Sequence, residues 1–140
     1  METRRALGLA ITCGIMLLCS SLATGATTPG KPEDTAQRIR QETGTKAGVI
    51  VQLGCRSGKL MDALQKTGNY IIHGLDRSRQ HVRASRSYLH SRDIYGPVSV
   101  THWSSDRLPY VNNFADLIIQ TKDADVSADE IGRASCRERV

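Results

Sequence analysis

Apolar residues in this chain fall into short blocks separated by stretches of helical spacing. Residues 46–53 are apolar nearly throughout, as expected of a parallel strand covered on both faces. Residues 69–75 form a second block, 98–103 alternate as a third strand, and 114–120 form a fourth. Pro32 suits the first turn of a helix ending at Gly44, with Glu33 and Asp34 near its positive end. A second helix carries Leu60, Met61 and Leu64 on one side, with Ser57 as its expected cap and Gly68 as its stop. A third spans roughly 78–92, with Val82, Ser85 and Leu89 on its inner line. Arg79, Arg83 and Arg86 share another line, which reads as a solvated face or, less simply, a surface for an anionic partner. The order β-α-β-α-β-β predicts an α/β fold with a doubly wound parallel sheet. Four strands leave a bare edge, so the sheet is expected to be incomplete.

Both ends depart from this rhythm. Met1 to Arg5 is a short basic head, followed by 14 residues without a charge, Ala6 to Cys19, and then by small residues up to Gly25 and Ala26. That pattern predicts a signal peptide over residues 1–26 and an exported protein, periplasmic or extracellular. The apolar stretch falls short of the roughly 20 residues of a membrane span, so no span is expected after signal removal. Leu18 directly before Cys19 argues against a lipoprotein. Residues 27–45 then read as linker and first helix, 46–130 as the truncated domain, and 131–140 as a tail without apolar period.

The formal charge of +5 shrinks when the ends are set aside. The tail holds three Arg and one Glu, and the signal region two Arg and one Glu, leaving +2 for residues 27–130. So small an excess gives no case for nucleic acid. Only Cys55 of the four cysteines lies in the domain, so no internal disulfide is expected there. His73, His81, His90 and His102 show no metal-ligand spacing and read as surface or strand histidines.

Chemistry concentrates where the first strand ends. Val49-Ile50-Val51-Gln52-Leu53 runs into Gly54-Cys55-Arg56-Ser57-Gly58, and 18 positions later the second strand ends on Asp76. A glycine turn at one strand tip and a carboxylate at the next form the usual cradle of an adenosine-bearing small-molecule cofactor. The dinucleotide spacing fails at Arg56 and Lys59, which disfavours a nicotinamide oxidoreductase. The tighter spacing finds Gly54 and Gly58 and misses only at Arg56.

That turn resembles motif I of the class I S-adenosylmethionine-dependent methyltransferases, whose usual form is acidic-Leu-Gly-Cys-Gly-x-Gly. Gly74-Leu75-Asp76 resembles their motif II, Ser105-Asp106-Arg107-Leu108-Pro109-Tyr110 their loop after strand three, and residues 108–119 their passage into strand four. The resemblance covers about residues 46–121 and implies a Rossmann-like fold binding S-adenosylmethionine. Gly54, Cys55 and Gly58 would line the turn, Asp76 would take the ribose hydroxyls, and Asp106 would meet the adenine amino group. Gln52 stands where the family has an acid, and Arg56 where it has the middle glycine. No catalytic residue is implied; Asp123, just past strand four, is the one candidate base and reads more simply as a loop carboxylate. Trp103 and Tyr110 flank a pocket or pack in the core. The module also resembles one found near the N-terminus of secreted bacterial proteins with a pyrroloquinoline-quinone-type β-propeller, and residues 131–140 resemble a translated sequencing adapter. Two functions follow as expectations: a methyltransferase-like domain, fragment of a longer exported protein, or a catalytically silent interaction module.

Overall fold

The computed structural model describes residues 30–136; the expected signal peptide and the start of the linker lie outside them. Helix α1 (Pro32–Thr43) has proline in its first turn and ends on Gly44, whose left-handed backbone returns a hydrogen bond to the Arg40 carbonyl. Then follow β1 (Ala47–Leu53), α2 (Lys59–Gln65), β2 (Asn69–Asp76), α3 (Arg79–Ser91), β3 (Val98–His102), β4 (Leu117–Gln120) and α4 (Ala128–Ala134). All strand pairs are parallel and the sheet order is β3-β2-β1-β4. The order reverses between β1 and β4, which makes their tips a topological switch point. This is the expected Rossmann-like architecture.

Helices α1, α2 and α3 share one face of the sheet. Their Ala36, Met61, Leu64, Val82 and Leu89 pack with Ile50, Ile72, Val98 and Val100 from the strands. Each fully buried Ile or Leu of this kind contributes roughly 1.5–3 kcal/mol. The opposite face gathers Val51, Leu53 and Leu75 under Trp103, Leu108 and α4. No helix among the described residues is long and apolar enough to cross a membrane.

Three local expectations need correction. Ser57 does not cap α2; Gly58, at φ 73°, holds the N-cap position without a side-chain bond. Strand β4 starts at Leu117 rather than Phe114, because the Phe114 and Ala115 amides both donate to the Ala134 carbonyl instead of joining β1. Residues 131–134 are helical: Ser127 caps α4 by accepting from the Glu130 amide, and Ala134 is fully buried. Of the arginine line on α3, Arg86 donates to the Val100 carbonyl at 2.8 Å.

Candidate functional site

The chain leaves β1 through Gly54, at φ 82°, and the Gly54 amide donates to the Leu75 carbonyl at 2.8 Å. That bond fastens the turn to the end of β2. A side chain at Gly54 would collide with the Thr121 hydroxyl, which itself donates to the Leu53 carbonyl at 3.1 Å. The demand for glycine here thus comes from the tip of β4.

Beyond Gly54 the turn folds onto Asp76. The amides of Cys55 and Arg56 donate to Asp76 Oδ2 at 2.8 and 3.2 Å, and the Ser78 amide donates to Oδ1 at 2.8 Å. His81 Nδ1 lies 3.2 Å from Oδ1 and 3.3 Å from Oδ2. Asp76 is only 5% exposed. Burial pushes its carboxyl upward, but the Ser78, Arg56 and Cys55 amides and the nearby His81 outweigh that and hold it below the ordinary range. Asp76 is therefore a carboxylate, and His81 Nδ1 must be the donor. The two strand tips converge, and they converge on each other. With four donor groups on two oxygens, the acceptor positions of Asp76 are filled by its own chain.

Above this contact lies a crevice of about 150 Å³ with Leu53, Leu75 and Trp103 among its walls. Small-molecule sites usually span about 300–1,000 Å³, so the crevice as it stands is tight. Arg56 and Asp123 both line it. Arg56 Nε donates to Asp123 Oδ2 at 2.6 Å, and its terminal nitrogen pairs with the same oxygen. The two side chains are 65% and 52% exposed, which puts the pair at the rim. Arg77 stacks over the Trp103 ring at 4.7 Å and reaches the Asp125 carbonyl at 3.3 Å.

The remaining expected site residues are more scattered. The Cys55 side chain is buried, its thiol 3.7 Å from the Gln52 carbonyl. Burial first, and the charge of Asp76 second, push that thiol up to about 12, so it is no nucleophile. Only its amide faces Asp76. Gly58 packs α2 against α3, where a side chain would come within 3.4 Å of the Ser85 carbonyl. Asp106 is exposed, 3.5 Å from Arg77, and borders a separate hollow with Asp123 and Asp125. Tyr110 hydrogen-bonds His73 at 2.7 Å and stacks on Phe114; it does not line the crevice. Gln52, 2% exposed, donates its amide to the Gly54 carbonyl at 3.2 Å, a role that a carboxylate cannot fill.

Sequence reasoning missed His81 and Arg77. His81 had a readable signal: it sits three residues after the cap Ser78, in the first turn of α3 beside Asp76. It is a carboxylate partner, not an idle surface histidine. The residues fit an adenosine-type ligand in kind, with apolar walls, an aromatic ring and a carboxylate at the switch point. In size the crevice as it stands is smaller than such sites usually are.

No family model matches the chain, and no curated protein sequence matches it. Solved structures do. A protein assigned as an S-adenosyl-L-methionine-dependent methyltransferase from Methanococcus maripaludis superposes with a TM-score of 0.68 at 22% identity, over 75% of this chain and 50% of that one. An S-adenosylmethionine-dependent methyltransferase from Aquifex aeolicus gives 0.64 at 16% identity, over 77% of this chain and 62% of that one. A chain named as a cyclase gives 0.56 at 18% identity, over 61% of this chain and 32% of that one, so the fold alone does not dictate methyl transfer. The chain spans about half the length of the first of these and under two thirds of the second. What it shares with them is the Rossmann-like α/β fold in which S-adenosylmethionine-dependent methyltransferases are built.

Proposed function

We propose that this chain is the nucleotide-binding half of a methyltransferase-type domain that takes S-adenosylmethionine as its small-molecule cofactor. The observation that carries the reading is the meeting of the Gly54 turn with Asp76 beside an apolar crevice at the switch point. Leu53, Leu75 and Trp103 would enclose the adenosine, and Asp76 would offer the acceptor position that His81 now holds once that ring turns aside. When bound, the cofactor would supply an electrophilic methyl group, and the protein's share would be orientation and exclusion of water. No residue is assigned as catalytic. The leader-like residues 1–26 and the resemblance to propeller-associated modules support an exported parent protein, of which this is a fragment.

A second reading has its own support. Asp76 is satisfied by its own chain, Arg56 stands at the rim in place of a glycine, and an exported protein has no evident supply of a cofactor made in the cytosol. These favour a silent Rossmann-like interaction module. Calorimetry of the chain with S-adenosylmethionine separates the two. The first reading expects saturable heat, with affinity roughly 5- to 150-fold below that of an Arg56→Gly variant, if Arg56 costs about 1–3 kcal/mol. An absence of heat at millimolar ligand, with the fold verified by circular dichroism, supports the silent module.

A further inference from the structure

We infer that the Arg56–Asp123 pair is a latch across the crevice, and that Arg56 sets which ligand charge the crevice accepts. The inference rests on the adenosine-type reading of that crevice. Arg56 occupies the left-handed region at φ 48°, where glycine is at ease and an arginine is strained. Its amide holds Asp76 at the base of the turn while its guanidinium holds Asp123 at the rim. One residue thus ties the turn after β1 to the loop after β4, 67 positions away.

The charge arrangement gives the latch a second consequence. Two acids line the crevice, Asp76 and Asp123. Asp76 is spent on backbone amides and His81, and Asp123 is spent on Arg56. The remaining ionisable groups of the lining, Arg77 and His81, are basic. A ligand with a positive centre therefore finds no free carboxylate there and must displace the His81 ring or the Arg56 guanidinium to reach one. S-adenosylhomocysteine, a thioether, keeps the ammonium but lacks the sulfonium charge, and so meets less of that competition.

Trp103 supplies a readout that needs no ligand. It is the only tryptophan, it lines the crevice, and it is 7% exposed. Acrylamide quenching and binding of S-adenosylmethionine and S-adenosylhomocysteine are to be measured on the chain, on Arg56→Gly and on Asp123→Asn. Glycine suits the backbone at 56, so the first variant keeps the turn. Both variants should raise quencher access to Trp103 about twofold or more, and added salt should do the same to the parent chain. Arg56→Gly should shift the affinity ratio toward the sulfonium ligand by about fivefold, the scale of one rim ion pair. Asp123→Asn frees the cation and should shift it the other way. Unchanged quenching in both variants with native circular dichroism, or both ratios moving in one direction, overturns the latch. Failure of every form to bind either ligand overturns the cofactor reading instead, and quenching alone then decides whether the latch exists.

Discussion

Four groups of the chain meet on the Asp76 carboxylate, and their removal has a calculable sign. Because the folded carboxyl is held below its ordinary value of about 3.9, its contribution is complete above that value and is lost as pH falls through the lower, folded one. Asp76→Asn keeps the shape and one acceptor. It should cost roughly 1–3 kcal/mol at pH 7, and the gap to the parent chain should close as pH drops below about 3.9. Urea midpoints of both proteins from pH 7 to pH 3 test this; a gap independent of pH refutes it. Gly54 and Asp76 were legible in the sequence because a strand tip needs a turn and a buried acid needs donors. The partners that fill Asp76 were not. Backbone amides carry no sequence signature, and the pairing of Arg56 with Asp123 depends on how far β4 runs.

Among the elements, α2 is the shortest helix on its face and lacks a side-chain cap. It is held instead by Asp62, whose side chain is 6% exposed. Asp62 Oδ2 accepts from Lys66 Nζ at 3.1 Å, the Tyr88 hydroxyl at 2.9 Å and Arg92 Nε at 3.3 Å. Burial raises the Asp62 carboxyl, yet Lys66, Tyr88 and Arg92 together bring it below the ordinary range. Asp62→Ala strands the Tyr88 hydroxyl and unties α2 from α3, and should lower unfolding stability by roughly 1–3 kcal/mol. A denaturation midpoint equal to the parent's argues against that role. The Asp62–Lys66 spacing of four is visible in the sequence, whereas the reach to Tyr88 and Arg92 exists only after α3 has docked. Strands were legible wherever apolar residues ran unbroken. At 114–115 the hydrophobic signal continued while the amides had already passed to the C-terminal segment.

For the whole molecule, the two faces of the sheet are closed by different means. One is covered by three helices and the other by a turn-rich loop and α4. Arg133 ties these last two together, donating to the carbonyls of Tyr110 at 2.7 Å and Leu108 at 3.1 Å and pairing with Glu130. Deleting 131–140 should cost roughly 1–3 kcal/mol and speed amide exchange at residues 108–115, while leaving β1, β2 and the Asp76 contacts protected. Loss of protection across the whole sheet contradicts that division. The segment looked patternless because its attachment runs through carbonyls and a guanidinium more than through periodic apolar side chains.

The hydrogen bond from Arg86 to the Val100 carbonyl makes the two margins of the sheet unequal. On the β3 margin an outward acceptor is taken and a cation stands guard, which discourages recruitment of a stray strand. On the β4 margin, among the described residues, no strand pairs with the outer side of Leu117–Gln120, and the C-terminal segment attaches only ahead of it, through Asn113, Phe114 and Ala115. Lateral growth is thereby given a direction: a continuing chain or a clumping neighbour enters beside β4, and a single charge placed there is the economical remedy for precipitation.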